Sequence, residues 1–226
     1  MANVADRRIT DMTDELVFYT NPMSRGRIVR WMLEEVGQPY RTEILDYGTT
    51  MKAPEYLAIN PMGKVPALRH GDTVVTECAA ICCYLADAFA EAGLAPPPGD
   101  RLRGPYYRWM FFAAGPVEMA TSNKAFGLEA PAERKGMVGY GSLADVMSAL
   151  ETALSGREYL VGDRFSAADL YLGSHLGWGM SFGTIEKRPA FERYFERISA
   201  RPAAARAREI DDALIADSQQ PPSRES

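Results

Sequence analysis

An abrupt change of hydrophobic pattern near residue 95 divides this sequence of 226 residues into two parts that must fold differently. Before it, short apolar runs typical of strands alternate with helical patterns; beyond it, apolar residues recur at helical spacing alone. The stretch between them, 93–104, is rich in Gly, Pro, Asp and Arg, a composition typical of a linker. The sequence therefore predicts an α/β domain followed by an all-helical domain.

The first part contains two successive sets of elements. The predicted order is strand 16–19, helix 25–36, strand 40–45, short helix 53–59, strands 65–68 and 73–76 around a Gly71-Asp72 turn, and helix 77–90. This order, βαβ followed by ββα, predicts a mixed sheet covered by helices on both faces.

The second part is predicted to be helical throughout. The predicted helices are 106–126, 132–154, 166–179, 189–200 and 203–216. Ser166 and Asp169 at the start of the third resemble a capping box, with Asp in place of Glu or Gln. The predicted domain organisation is a polar arm 1–15, an α/β domain 16–92, a linker 93–103, an all-helical domain 104–217 and a flexible tail 218–226.

Charge and composition exclude several classes of protein. The net charge of −5 offers no electrostatic footprint for nucleic acid or an anionic membrane surface. No apolar run approaches the roughly 18–20 residues that span a bilayer, and the polar N-terminus lacks the apolar region of a secretory signal. Cys78, Cys82 and Cys83 lie in one predicted helix and form no disulfide framework, which favours a reducing, cytoplasmic compartment. With two histidines in the chain, we expect no metal site.

The segment Asn60–Ala80 carries the most specific chemistry in the sequence. A proline beside a strand favours a cis Val65-Pro66 bond, which would leave the backbone groups of Val65 free to pair with an extended peptide. The helix that starts after Glu77 offers unpaired N–H groups to a carboxylate, and the Glu77 side chain can accept an ammonium group. A small peptide with an α-amino acid at one end satisfies all three features.

This pattern and the order of the two domains resemble the cytosolic glutathione transferase family, from about Leu16 to Ala216. The resemblance implies a thioredoxin-like N-terminal domain and glutathione as co-substrate, with no metal. It implies that Val65 and Pro66 hold the cysteinyl backbone of glutathione. It also implies that Glu77 and Cys78 hold the γ-glutamyl group.

Two lysines and the identity of residue 78 complete the implied binding site. Lys64 matches a position that often reaches the glycyl carboxylate in the family, and Lys52 is a second candidate for that contact. Residue 78 is Cys where the family usually has Ser, so the side-chain hydroxyl donor is missing. Losing a hydrogen bond to a charged group costs roughly 1.5–3 kcal/mol unless another donor replaces it.

The group that activates the glutathione thiol is expected in the loop Tyr19–Arg27, before the first helix. Ser24 is the first candidate, because a hydroxyl at the helix N-cap and the helix amides can converge on one sulfur atom. Tyr19 is the main alternative, since an ungapped count back from Gly37 places it where tyrosine-type transferases keep their catalytic tyrosine. Asn21 is a third possible donor. The loop contains no cysteine, which argues against disulfide exchange through an enzyme thiolate there.

The remaining expectations concern the second substrate and the partners. Tyr106, Trp109 and Met110 in the first helix after the linker are predicted to line an apolar pocket for a small hydrophobic electrophile. The resemblance also implies a homodimer. The predicted activity is addition of glutathione to such an electrophile. The alternatives are a non-catalytic binding or scaffold protein and a glutathione-dependent disulfide or peroxide reductase.

Overall fold

The computed structural model describes residues 15–128 and 130–219. Most of the predicted N-terminal arm and most of the predicted tail therefore lie outside the described residues. The elements of the first part are β1 (Leu16–Thr20), α1 (Gly26–Val36), β2 (Arg41–Ile44), α2 (Pro54–Leu57), β3 (Ala67–His70), β4 (Thr73–Thr76) and α3 (Cys78–Ala88). Each of these corresponds to a predicted element, with ends that differ by a few residues.

The four strands form one mixed sheet in the order β2-β1-β3-β4. β1 and β2 are parallel, because the crossover through α1 returns the chain in the same direction. β3 is antiparallel to both β1 and β4, and the β3–β4 hairpin pairs Ala67 with Thr76. The predicted α/β architecture is confirmed.

The two faces of the sheet are covered by different elements. Alternate side chains of β1 and β3 point to opposite faces. Phe18 and Leu68 pack into the main core, which also contains buried residues of α1, α3 and the second part of the chain. Tyr19 and Ala67 belong to a smaller cluster on the other face, where they pack with Tyr56 of α2.

The second part is helical, and among the residues described it contributes no strand to the sheet. Its helices are α4 (Arg103–Phe112), α5 (Glu118–Ala125), α6 (Leu143–Leu154), α7 (Ala167–Phe182), α8 (Pro189–Ser199) and α9 (Pro202–Ser218). α4 begins at the last residue of the predicted linker. No helix in the described ranges is long and apolar enough to span a membrane.

The predicted helix 106–126 is interrupted by a π-helical turn at Ala113–Val117 that joins α4 to α5. Pro116 lies inside this turn. A proline in a helix lacks the N–H for the i−4 bond and clashes with the preceding turn, and a wider turn accommodates it. The π turn presents Ala114, and just beyond it Glu118, to the cleft described below.

The predicted helix 132–154 is two elements. A 3₁₀ helix at Ala132–Met137 is followed by a break, and α6 starts only at Leu143. Gly141 lies in the break at φ +69°, a conformation that ends a right-handed helix. Ser142 caps α6 by accepting the N–H of Asp145 at 3.1 Å.

The predicted capping box at the start of α7 is confirmed. The buried Asp169 carboxylate accepts the N–H of Ser166 at 2.9 Å, the N–H of Leu160 at 2.8 Å and the hydroxyl of Tyr194 at 2.8 Å. These bonds tie the first turn of α7 to the loop before it and to α8. The first half of α7 is therefore held firmly where it faces the α/β domain.

Four ion pairs join α1 to α9 and to Arg201, the residue directly before α9. They are Arg27–Asp212 at 2.7 Å, Arg30–Asp211 at 3.2 Å, Glu34–Arg206 at 3.1 Å and Glu35–Arg201 at 2.6 Å. Arg30 and Asp211 are buried, and the Arg30 guanidinium also donates to the hydroxyls of Thr42 and Tyr40. The C-terminal helix thus fixes the helix that follows the Ser24 loop.

Candidate functional site

A cleft of about 290 Å³ lies between the α/β domain and the helical domain. The α/β side contributes the segment from Asn60 to Pro66, the start of α3 and Arg25 from the loop before α1. The helical side contributes Ala114, Glu118 and Tyr171. Five of the predicted binding residues line this one cleft, namely Lys64, Val65, Pro66, Glu77 and Cys78.

The segment before β3 is held in an extended shape by bonds to its carbonyl groups. The Tyr56 hydroxyl donates to the Lys64 carbonyl at 2.6 Å, and the Asn60 side-chain amide donates to the same carbonyl at 2.8 Å. The Val65-Pro66 peptide bond is cis. Among the described residues, none forms a hydrogen bond with the N–H or C=O of Val65. This residue therefore offers a free backbone donor and acceptor to the cleft.

Lys64 and Lys52 differ in what their ammonium groups contact. Lys64 is exposed, and its side chain has no partner in the described part of the chain. The Lys52 ammonium donates to the carbonyls of Gly63 at 2.8 Å and Met62 at 3.2 Å. A Cβ on Gly63 would lie 2.9 Å from the Met51 carbonyl oxygen, and φ is +54°, so this position favours glycine. Lys52 therefore holds the loop that carries Lys64.

Glu77 adopts a backbone conformation that is unusual for a residue with a side chain. Its φ is +69° and its ψ is 122°, and it is the one non-glycine residue with positive φ in the described ranges. Such a conformation costs about 1–3 kcal/mol and clusters at functional sites. The Glu77 carboxylate is exposed and caps nothing on α3. The strain presents this carboxylate at the mouth of the cleft, where it can accept a cation.

The N-terminus of α3 forms one wall of the cleft. No side chain among the described residues caps its first turn, so the leading N–H groups remain available to an anion. The buried Cys78 thiol instead donates to the Arg25 carbonyl at 3.6 Å. Burial raises the pKa of the Cys78 thiol to about 12, so it stays protonated at neutral pH.

The Cys78–Arg25 contact brings the loop before α1 against the start of α3. In this loop the Ser24 hydroxyl donates to the Asn21 carbonyl at 2.6 Å and accepts the Gly26 N–H at 2.9 Å. Ser24 therefore lies one residue before the N-cap position of α1, which Arg25 occupies. A Cβ on Gly26 would lie 1.9 Å from the Thr20 hydroxyl, so the tight turn requires glycine.

The other two candidate donors are placed less favourably. The Asn21 side chain is buried, with its amide donating to the Leu45 carbonyl at 2.9 Å and its oxygen accepting the Met23 N–H at 3.0 Å. Asn21 therefore has a structural role in the turn. The Tyr19 ring packs on Tyr56, with 5.8 Å between ring centroids, on the sheet face away from the main core.

The three residues predicted to line the electrophile pocket lie elsewhere. Tyr106, Trp109 and Met110 are buried in the main core, and none of them lines the cleft. The Tyr106 hydroxyl donates to the Cys83 sulfur at 3.6 Å. The residues of this part of the chain that face the cleft come one to two turns further along, at Ala114 in the π turn and Glu118 just beyond it.

The sequence did not predict the polar side chains that line the cleft on its helical side. Arg25 and Glu118 form an ion pair of 2.8 Å that joins the two domains. Tyr171 of α7 is only 3% exposed, yet it lines the cleft. Its ring contacts His175 edge-on, with centroids 4.8 Å apart. In the sequence, Tyr171 is distinguished only by its position in the first turns of a helix with a predicted capping box.

Three further titratable groups, one histidine and two cysteines, are neutral because of burial. Burial lowers the pKa of His175 to about 4, and its Nε2 has no partner among the described residues. Burial raises the pKa values of Cys82 and Cys83. All three cysteines are free thiols and none has the lowered pKa of a redox-active cysteine. The described residues contain no group of three or more His, Cys, Asp or Glu side chains that could hold a metal.

The architecture is a mixed four-stranded sheet domain followed by an all-helical domain, with a helix N-terminus that opens on the cleft between them. Comparison with known proteins identifies the family. Residues 23–88 match the model of the glutathione S-transferase N-terminal domain, and 138–202 match that of the C-terminal domain. The chain is 29% identical over 193 residues to glutathione S-transferase GST-4.5 of Xanthomonas campestris, which covers 80% of this chain and 92% of the relative.

Solved structures extend the agreement. A glutathione transferase from Methylococcus capsulatus is 33% identical, with a TM-score of 0.73 over 88% of this chain and 99% of that one. A sphingomonad glutathione S-transferase solved with glutathione is 30% identical, with a TM-score of 0.72 over 87% of this chain and 98% of that one. This chain belongs to the glutathione S-transferase family, and its co-substrate is glutathione.

Proposed function

We propose that this protein binds glutathione in an extended conformation along the cleft and adds its sulfur to a small hydrophobic electrophile. The observation that supports this most strongly is the convergence of three free groups on one cleft. They are the unpaired backbone of Val65, the uncapped N-terminus of α3 and the outward-facing Glu77 carboxylate.

In the proposed binding mode, each part of glutathione meets a complementary group. The cysteinyl backbone pairs with Val65 beside Pro66, as an added strand would. The γ-glutamyl carboxylate accepts N–H groups at the start of α3, including that of Cys78, and the γ-glutamyl ammonium contacts Glu77. The glycyl carboxylate is placed near Lys64, while Lys52 supports the loop from behind.

Ser24 is the proposed activating residue. To donate to the glutathione sulfur, its hydroxyl exchanges the bond to the Asn21 carbonyl for one to the thiolate, and the Gly26 N–H continues to hold the oxygen. A free thiol has a pKa of about 8.5, and a donor at a helix N-terminus lowers it by one unit or more. Tyr19 remains the alternative donor, and the variants Ser24→Ala and Tyr19→Phe distinguish the two.

The proposed reaction is a substitution at carbon by the glutathione thiolate. The thiol proton passes to solvent, and the thiolate forms a C–S bond with the electrophilic carbon. The leaving group departs with the electron pair of its bond to that carbon. Because Ala114 and Glu118 form the helical wall, the acceptor pocket is assigned to the π turn and the start of α5.

Two measurements test the proposal. Calorimetric titration with glutathione should give saturable binding, and mixing with glutathione and 1-chloro-2,4-dinitrobenzene should release chloride and form the aryl conjugate. Saturable binding without conjugation of any electrophile would make the protein a carrier. Absence of binding at millimolar glutathione would refute the proposal. The family also leads us to propose a homodimer, which light scattering would reveal as twice the 25.0 kDa chain mass.

A further inference from the structure

Tyr171 lines the cleft, but its hydroxyl has no role in the proposed glutathione site. It comes from the helical domain, and its side chain is almost fully buried. No described residue forms a hydrogen bond with its hydroxyl. Among the described residues, the buried side-chain polar atoms that have neither a hydrogen-bond partner nor contact with solvent belong to Arg30, His175 and Asp211. The Tyr171 hydroxyl is not one of them. The phenol body is therefore packed, while its hydroxyl opens into the cleft.

The residues around Tyr171 place it beside the start of α3. Tyr171 lines the cleft together with Cys78 of α3, Glu118 of α5 and Arg25. α7 also packs against α3, so Tyr171 faces the N-terminus of that helix. Val65 lines the same cleft, and Arg25 brings the end of the Ser24 loop against the start of α3.

The hydroxyl is a fixed donor at neutral pH. Burial is the main cause that raises the pKa of Tyr171 well above its usual range, so the phenol stays protonated. The edge-on contact with His175 and the capped start of α7 restrict the ring. His175 is neutral, and the Glu118 carboxylate is held by Arg25, so neither brings a competing free charge.

We infer that the Tyr171 hydroxyl donates a hydrogen bond to the γ-glutamyl carboxylate of glutathione at the start of α3, in place of the side-chain donor that Cys78 lacks. This inference rests on the proposed glutathione site. The Cys78 thiol is turned to the Arg25 carbonyl, so it cannot serve the carboxylate without breaking that contact. A phenol reaching in from α7 supplies the same bond from the opposite wall, and binding of glutathione thereby joins the two domains.

The test removes the hydroxyl alone, with Tyr171→Phe, and measures binding by calorimetry. Affinity for glutathione and for S-methylglutathione should fall equally, by about tenfold or more, as expected for a hydrogen bond to a charged group. Binding of γ-aminobutyryl-cysteinylglycine, which lacks the α-carboxylate, should stay within about twofold of that of the unaltered protein. Tyr84→Phe is the matched control, because this phenol on α3 is bonded to His70 at 2.8 Å.

A second variant tests whether a hydroxyl at residue 78 can replace the Tyr171 hydroxyl. Adding Cys78→Ser to Tyr171→Phe returns a hydroxyl to the start of α3, and we expect it to restore most of the lost affinity. Circular dichroism melting confirms that each variant is folded. Equal loss for the analogue without the carboxylate, loss for glutathione but not S-methylglutathione, or no restoration by serine would each overturn the inference. If the unaltered protein fails to bind glutathione, the proposed function falls and the inference falls with it.

Discussion

The proposed binding segment and the proposed activating loop use the same kinds of polar groups in opposite ways. From Lys64 to Glu77, the Val65 backbone, the Glu77 carboxylate and the Lys64 ammonium have no partners among the described residues. In the loop before α1, the Asn21 amide bonds to Leu45, and the Ser24 hydroxyl bonds to Asn21. One region is open to a ligand, and the other is closed on itself.

This difference separates binding from activation. The groups of the proposed binding segment have no internal hydrogen bonds to break, so we expect their contribution to appear in the dissociation constant. The Ser24 hydroxyl must give up one internal hydrogen bond, a net cost of about 1 kcal/mol, before it can donate to the sulfur. Its contribution should therefore appear in the pKa of bound glutathione and in turnover. Each prediction below tests that division.

The largest expected effect concerns Cys78, the cysteine directly after the proposed binding segment. Burial disfavours the thiolate and raises the pKa of Cys78 from 9.0 to about 12, which leaves about a thousandfold less thiolate at neutral pH than an unperturbed thiol. We expect alkylation by iodoacetamide to be correspondingly slow at pH 7 and to accelerate about tenfold per pH unit. Mass spectrometry of the native protein checks this, with the unfolded chain as the reactive control. Rapid labelling of Cys78 at pH 7 would show a reactive thiolate at the start of α3 and contradict this prediction.

Ser24→Ala has the next largest effect. Removing the activating donor should lower kcat/KM for conjugation by about 100-fold, the scale seen when one preorganised donor is lost, with the glutathione dissociation constant nearly unchanged. Steady-state kinetics and calorimetry together check both halves of this statement. Tyr19→Phe is the control and should retain activity. If Tyr19→Phe loses activity and Ser24→Ala keeps it, the roles are reversed.

Glu77→Gln tests the binding segment. It removes the negative charge that we propose contacts the γ-glutamyl ammonium, so we expect about tenfold weaker glutathione binding, in line with about 1.5 kcal/mol for a charged hydrogen bond. The glutathione that does bind should keep its lowered thiol pKa. Titration of the thiolate absorbance at saturating glutathione measures this pKa. A shift back to the free value would show that binding and activation are not separable.

The two lysines give the smallest expected effect. Lys64→Met should weaken glutathione binding by about threefold to fivefold and reduce its salt dependence, as expected for an exposed charge. Lys52→Met should instead lower thermal stability, because it breaks the bonds to Met62 and Gly63. Binding at several ionic strengths and thermal melting distinguish the two. Equal salt dependence in both variants would remove the distinction between a binding lysine and a supporting one.

The binding segment could be predicted from the sequence because its properties follow from local backbone chemistry. Pro66, the Gly71-Asp72 turn and the helix start after Glu77 each impose a conformation on their own neighbours. The strand order likewise follows from the sequence of elements. The residue-by-residue assignment of the glutathione contacts nevertheless stays a prediction until binding is measured.

The helical wall of the cleft could not be predicted in the same way. The sequence pattern does not show that a π turn containing Pro116 interrupts the helix, or that Ala114 and Glu118 face the cleft. Tyr106, Trp109 and Met110 lie in the main core instead. Tyr171 reaches the cleft only because α7 packs against α3, a contact between residues far apart in the chain. Hydrophobic periodicity identifies a buried helix face, but it does not identify the partner of that face.

The most direct test of the account is the ultraviolet difference spectrum of glutathione bound to the protein at neutral pH, with S-methylglutathione as the control. We predict a thiolate band with glutathione alone, which persists in Tyr19→Phe and disappears in Ser24→Ala at saturating ligand. A protein that binds glutathione without this band, or a Ser24→Ala variant that keeps it, would contradict the central claim that the loop before α1 activates what the α3 cleft binds.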